Sequence, residues 1–416
     1  MIKDWIDTTI GEQVTLQRGI DITKAAQRPG SVPVISSGGV ASYHDTAFAK
    51  GPGVVLGRKG VVGSVYYIDV DYWPHDTSLW VRDFHGNSPR FVYYFFRHMA
   101  PELASMDVGS ANPTLNRNHV HPKRTKWPPL SEQRAIAHIL GTLDDKIELN
   151  RQMNQTLDEL ARTIFRSWFV DFDPVRAKAE GREPEGMDAE TADLFPDRFV
   201  DSTLGPIPEG WEVQPIGAMV TVVGGSTPST KQPEFWEGGT HLWATPKDLS
   251  GIASPILIDT ARRITDAGVQ QISSRLLPVG SVLLSSRAPV GYLAVTTEPT
   301  AINQGFIGMI CDRGVPNAFV LNWARERMDT IKGNAGGTTF AEISKTAFRP
   351  ILGVRPSHEV LDTFQLQTSA LYELIETNLR ESVTLADLRD TLLSELLSGR
   401  IDSSSCGNHD EQVTRV

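Results

Sequence analysis

Between Ser131 and Trp168, apolar residues recur in alternating steps of four and three: Ile136, Leu140, Leu143, Ile147, then Asn150 and Asn154, then Leu157, Ala161, Ile164 and Trp168. This is a heptad-type seam with two asparagines in its middle. Only Gly141 interrupts an otherwise helix-compatible run. A helix of that length rises about 1.5 Å per residue to a rod of nearly 60 Å. One apolar stripe on a charged rod cannot bury itself, so the pattern predicts a partner helix.

The same chain supplies one. With Phe364 set opposite Ile136, the seam positions fall in turn on Phe364, Thr368, Leu371, Ile375, Asn378, Ser382, Leu385, Arg389, Leu392 and Leu396. The pair Ile147 and Asn150 recurs as Ile375 and Asn378, and the lead-in PLSE from Pro129 recurs as PSHE from Pro356. Asparagines at one seam position of both helices are predicted to fix register by pairing with each other, at some cost in stability.

Residues 1–130 read as a mixed α/β domain. Short apolar runs punctuated by glycine, GPGVVLGRKGVVGSVYYI from Gly51 and SLWV from Ser78, predict strands, and RFVYYFFRHM from Arg90 predicts a helix. Residues 131–203 contain the rod and an acidic connector broken by Pro and Gly. Residues 204–355 repeat the first domain: Trp5 and Ile10-Gly11 answer Trp211 and Ile216-Gly217. The run from Gly53 resembles GSVLLSSRAPVGYLAV from Gly280, placing Arg58 opposite Arg287 and Gly63 opposite Gly291. GSANPTLNRNHV from Gly109 resembles GGTTFAEISKTA from Gly336, and residues 356–401 hold the second rod. The fold class expected is α+β, with two mixed α/β domains separated by two long helices packed as an antiparallel coiled coil. Such a pseudo-two-fold repeat is a symmetric dimer fused into one chain, with the rod as spacer. A rod of this length suits two DNA readers on faces about 34 Å apart, or a multiple of that.

Charge changes this picture less than its total implies. The net charge is -10, but residues 1–130 hold 14 Lys+Arg against 11 Asp+Glu, and residues 205–355 hold 13 against 12. Residues 131–204 (9 against 16) and 356–416 (4 against 11) carry the acidity. The two globular regions are therefore free to carry a local basic face. No apolar run is long enough to cross a bilayer and no basic-then-apolar leader opens the chain, which predicts a cytoplasmic protein with no membrane partner. Two cysteines, Cys311 and Cys406, are too few for a disulfide framework or a cysteine zinc site. His119 and His121 lack a companion ligand at metal spacing, so no metal is expected.

The stretch PLSEQRAIAHILGTLDDKIELNRQMNQTLDELARTIFRSWFVDFDPVRAK, from Pro129 to Lys178, resembles the central conserved region of the specificity subunits of Type I restriction-modification systems. The resemblance runs from about Trp5 to Ile401, and residues 402–416 fall outside it as an expected disordered tail. It implies a non-catalytic subunit whose two target-recognition domains each read half of a split, asymmetric double-stranded DNA site. It also implies two methyltransferase subunits and restriction (nuclease-translocase) subunits as partners, which would carry S-adenosylmethionine, ATP and Mg2+. The chain itself shows no GxxxxGK[ST] loop, no HExxH, no G-x-G-x-x-G opening a βαβ unit and no methyltransferase motif. A DNA-modifying enzyme, methyltransferase or endonuclease, with an unrecognised active site is the alternative.

DNA contact is expected from the loop after the glycine-rich turn and the polar segment before each rod. In the first domain these give Arg58, Lys59, Asn112, Thr114, Asn116, Arg117, Asn118, Lys123 and Arg124; in the second, Lys231, Lys247, Arg287, Asn334, Thr338 and Thr339. Arg and Asn make bidentate contacts to guanine and adenine edges, whereas Lys and Thr more often hold phosphates. Trp168, Phe169, Phe172 and Asp173, at the rod end, are either a docking surface for a methyltransferase subunit or the packing of the connector onto the rod.

Overall fold

The computed structural model describes residues 5–106, 114–337 and 341–401. The chain divides into two compact units, Met1–Ile147 with Val383–Val416, and Glu148–Ser382. Of the residues singled out above, Asn112, Thr338 and Thr339 lie outside the described residues, as do 402–416.

In the first unit β1 (Ile6–Thr9) leads through a one-turn helix to β2 (Thr15–Arg18). There follow β3 (Val32–Ser36), β4 (Gly39–His44), β5 (Gly53–Gly57), β6 (Val65–Ile68), β7 (Trp73–Pro74) and β8 (Ser78–Asp83). Strands β2-β8-β5-β6 form one antiparallel sheet and β4-β3-β7 a second. Strand β5, GVVLG, is buried at every residue because it lies inside its sheet between β8 and β6. The helix Pro89–His98 starts at Ser88, whose hydroxyl accepts the Phe91 N–H, and buries Phe91, Val92, Tyr94, Phe95 and Phe96. Finally β9 (Arg124–Trp127) returns to pair with β1, Ile6 opposite Trp127, just before the first long helix.

The second unit repeats this order. Glu212–Pro215 pairs with Leu352–Arg355 as β1 does with β9. Thr221–Gly224, Phe306–Ile310, Val282–Ser285 and Leu293–Thr296 form the counterpart of the β2-β8-β5-β6 sheet, extended by Ile256–Leu257. The helix Asn317–Glu326 buries Phe319, Val320 and Trp323, which hold the repeat positions of Phe91, Val92 and Phe95.

Two 40-residue helices, Leu130–Phe169 and His358–Leu397, are the rods. Within the first unit Leu393 and Leu396 join Ile136, Ala137 and Leu140 in one core, and the Arg389 guanidinium bonds Asp144 at 2.6 Å. Within the second, Phe364 packs against Phe165, Trp168 and Phe169 at centroid distances of 6.0, 6.0 and 5.0 Å. Numbers fall along one helix as they rise along the other, so the pair is antiparallel. Every seam position named from the sequence is buried or half-buried. Gly141 is where Arg90 crosses the first rod. A Cβ there would lie 2.7 Å from the guanidinium, which bonds the Gly141 carbonyl at 3.1 Å.

The seam asparagines correct one expectation. Asn150 and Asn378 are buried, at 0% and 5% exposure, but their side chains do not pair with each other. The Asn150 amide donates to the Asn378 carbonyl (3.3 Å), Glu381 Oε2 (2.7 Å) and Ser382 Oγ (3.3 Å), while the Asn378 amide donates to Asn154 Oδ1 at 2.9 Å. In an antiparallel pair a residue meets its own repeat counterpart only on the two-fold axis. Here that axis falls near Gln152 and Arg380, so each asparagine meets the residue one turn beyond its counterpart. Asn150 Oδ1 has no partner among the described residues. Replacing Asn150 by Leu is therefore expected to stabilise the chain by about 1 kcal/mol, read as a raised denaturant midpoint. A fall in midpoint would mean that its three donor bonds outweigh the orphaned carbonyl.

Candidate nucleic-acid interface

The first-domain site is assembled where β2 and β5 end and β8 begins. Gly19 follows β2 at a place where a Cβ would lie 2.0 Å from the His75 carbonyl oxygen, so only glycine lets the chain pass. Antiparallel pairing sets Arg18 opposite Leu79 and brings Asp76, in the loop before β8, within reach. Just past β5, the N–H groups of Arg58 and Lys59 both donate to the Thr77 carbonyl at 3.0 Å. Leu115 N–H in turn donates to the Arg58 carbonyl, anchoring the segment before the rod. Asn116 caps the short helix Arg117–Val120. The result is an open cleft of about 770 Å³ that joins Arg58, Thr114, Asn116 and Arg117 with Arg18, Asp76 and Arg82.

Its electrostatics are unbalanced. Arg18 bonds Asp76 at 2.8 Å yet its side chain is 55% exposed, and Arg58 reaches the Asp76 carbonyl at 3.3 Å. Burial and the neighbouring Arg18 charge push the Arg58 guanidinium below the usual arginine value, against the pull of Asp76. Burial alone would raise the Asp76 carboxyl. The Arg18 bond and the charges of His75, Arg18 and Lys59 outweigh it and hold that carboxyl low. His75 stands 3.3 Å from Asp76 and 3.9 Å from Asp21, but the guanidinium of Arg18 already supplies a cation to Asp76.

Not every residue named from the sequence belongs here. Lys59 and Asn118 are exposed at the periphery. Lys123 is paired with Glu102 and lines a different, smaller pocket with Arg124 and Trp5. Arg18, Asp76 and Arg82 escape sequence reading because β-pairing, not chain proximity, brings them in. The repeated glycines Gly19 and Gly225 are the signal that marks the place.

In the second domain the same frame recurs with other side chains. Gly225 lies where a Cβ would be 1.8 Å from the Ile302 carbonyl oxygen, Ser286 N–H donates to the Gly305 carbonyl, and Ile343 N–H donates to the Ser286 carbonyl. Ser344 caps the helix Lys345–Phe348 as Asn116 caps its counterpart. The positions of Arg18, Arg58, Asp76 and Arg117 are taken by Gly224, Ser286, Gln304 and Lys345. Gln304 Oε1 accepts the Thr227 hydroxyl at 2.5 Å, and the Lys345 ammonium lies 3.2 Å from where a Gly224 Cβ would stand.

This frame corrects the alignment made from sequence. Lys59 bridges Thr114 as Arg287 bridges Glu342, so Arg287 is the counterpart of Lys59, and Arg58 corresponds to Ser286. Arg287 is also 3.7 Å from the Glu342 carboxylate. Asn334 closes the helix Met328–Gly333, its amide donating to the Thr330 carbonyl at 2.9 Å. Lys231 and Lys247 are exposed on separate segments.

For the aromatic cluster, the packing favours the second of the two readings given by the sequence. Trp168, Phe169 and Phe172 are only 5%, 7% and 9% exposed and pack with Phe195, Trp211 and Phe319. They fasten the connector and the second domain to the rod end, leaving their rings unavailable to a partner. Asp173, the first residue of the helix Asp173–Ala179, is exposed.

The chain is thus a two-fold repeat of α/β domains alternating with two long helices, with a polar, arginine-lined cleft in the first domain and the same backbone frame in the second. The sequence model described as "Type I restriction modification DNA specificity domain" matches residues 2–159 and 208–351. The chain is 30% identical over 330 residues to the specificity subunit of the Type I restriction enzyme HindI of Haemophilus influenzae, covering 70% of this chain and 71% of that one. To the MjaIX specificity subunit of Methanocaldococcus jannaschii it is 35% identical over 189 residues, 45% and 44% of the two chains. Its fold resembles the crystal structure of a Type I restriction-modification S subunit from M. genitalium, with a TM-score of 0.56 at 14% identity over 94% of this chain and 96% of that one. The chain belongs to the Type I restriction-modification DNA specificity family. Among its described residues, no helix is long and apolar enough to cross a membrane.

Proposed function

We propose that this chain is the non-catalytic specificity subunit of a cytoplasmic Type I restriction-modification complex. Residues 1–130 and 204–355 are its two target-recognition domains, each reading one half of a bipartite, asymmetric double-stranded DNA site. Residues 131–203 and 356–401 are the helical regions that join them. Two methyltransferase subunits and the restriction subunits supply the chemistry, with S-adenosylmethionine, ATP and Mg2+ bound on those partners. The observation that carries this reading is one repeated backbone frame with two side-chain sets, Arg18, Arg58, Asp76 and Arg117 lining a cleft of the first domain and Gly224, Ser286, Gln304 and Lys345 at the corresponding positions of the second. One backbone frame with two side-chain sets recognises two different half-sites.

The test is a map of DNA methylation in the host with and without the gene. One split motif, two short half-sites around a fixed gap, is expected to disappear with the gene. Persistence of every methylated motif would remove the targeting role. Methyl transfer by the purified chain alone would make it an enzyme instead.

A further inference from the structure

The cleft at the end of β2 and the start of β8 carries two guanidinium groups anchored on one residue. Arg18 is tied to the Asp76 carboxylate at 2.8 Å and Arg58 to the Asp76 carbonyl at 3.3 Å. Each guanidinium presents five N–H donors in a fixed fork, and each uses one of them in a hydrogen bond among the described residues. The other donors face an open cleft into which Arg82 and Arg117 also project. The charge of Arg18 acts on Arg58, the Asp76 carboxylate bonds Arg18 rather than Arg58, and Asp21 is the other acid among four arginines lining the cleft; this crowding of cations disfavours the free protein, and an acceptor-rich ligand relieves it. Local conflict of this kind is where a fold sets stability aside for binding.

Two kinds of acceptor on DNA could satisfy the pair, a phosphate or the major-groove edge of a base. The carboxylate decides between them. A phosphate holder gains nothing from an anion bonded directly to its cation, because that anion repels the ligand. A base reader gains orientation, since a tethered arginine fork meets O6 and N7 of guanine in a fixed geometry, and a carboxylate beside it accepts the N4 amino group of the paired cytosine. The second domain has no guanidinium at the counterparts of Arg18 and Arg58, which are Gly224 and Ser286.

We infer that Arg18 and Arg58 recognise guanine in the half-site read by the first domain, with Asp76 as the positioning residue that holds the Arg18 fork. This rests on the proposed specificity role and adds the base and the residues that read it.

The experiment uses the whole specificity chain assembled with its methyltransferase subunits, acting on duplexes with a randomised target region. Arg18→Lys and Arg58→Lys keep the charge but lose the bidentate fork. Each is expected to cut the preference for guanine at one position of one half-site by about tenfold or more, leaving the other half-site and the salt dependence unchanged. Asp76→Asn, which keeps size and removes the tether's charge, is expected to weaken the Arg18-dependent guanine in the same way. Lys50→Gln, at an exposed side chain that bonds Asp71 away from the cleft, is expected to leave the motif intact. Thermal melting of each variant complex checks that it is folded.

Lysine variants with unchanged base preference would overturn the inference, as would a wild-type motif with no guanine in the affected half-site. A uniform loss of binding to all sequences in the Arg→Gln versions, with a shallower salt slope, would make these phosphate contacts. If the wild-type complex methylates no split motif at all, the specificity role fails rather than the guanine assignment.

Discussion

Phe169→Ala is expected to destabilise the second unit by about 4 kcal/mol, in the range of buried aromatic truncations. The ring is 7% exposed and sits 5.0 Å from both Phe319 and Phe364, 5.2 Å from Phe165 and 5.9 Å from Trp211, centroid to centroid. These neighbours come from both long helices, from the helix Asn317–Glu326 and from the start of the second domain. They are fixed by their own packing and cannot all move in to fill the gap, so a cavity term adds to the lost burial. The measurement is denaturant unfolding followed by fluorescence of Trp168 and Trp211, which both pack against this ring. A midpoint that does not move, together with loss of methyltransferase binding, would restore the docking reading and overturn the packing one.

Asp144→Ala is expected to cost about 3 kcal/mol, the low end for breaking a buried ion pair. Asp144 accepts two bonds of 2.6 Å, from the Arg389 guanidinium and from the hydroxyl of Tyr94, which is fully buried. Arg389 occupies a seam position at 8% exposure, where most heptads place an aliphatic residue. Burial works against its charge, and the Asp390 and Asp144 carboxylates more than offset this, so the guanidinium is held charged. Without Asp144 it keeps only Asp390, at 2.8 Å, and the Tyr94 hydroxyl loses its acceptor. The companion variant, Asp144→Leu with Arg389→Leu, is expected to recover most of the loss, because an apolar pair suits a helix seam as well as an ion pair does. A double-mutant cycle on unfolding free energies reads the coupling. A single-variant cost below about 1 kcal/mol would place the pair with surface ion pairs instead.

The pairing of the seam asparagines and the role of the aromatic cluster lay beyond the sequence for related reasons. The sequence places Asn150 and Asn378 at one seam position of a repeat but does not say where along the rods the two-fold axis lies. An axis half a turn further along gives Asn378 the partner Asn154 in place of Asn150. Likewise SWFVDF reads equally as a surface cluster or a core cluster until the far side is known. That far side comes from Trp211, Phe319 and Phe364, which belong to other elements further along the chain.

By itself the sequence determined the two rods, their seam and the two-fold repetition of an α/β domain. Those features are periodic, and burial of a stripe or a strand imposes its period on the chain wherever it occurs. It also pointed to Arg58, Thr114, Asn116 and Arg117 through the glycine-rich turn and the polar segment before the first rod, both local in the chain. Only the tertiary structure decided that Arg18, Asp76 and Arg82 stand with them, that Lys123 and Arg124 do not, and that Lys59 rather than Arg58 answers Arg287. The register of β2 on β8 and the loop beside β5 set these neighbours. A one-residue slip in register would turn Arg18 to the opposite face of its sheet, and no local pattern in the chain records which slip is avoided.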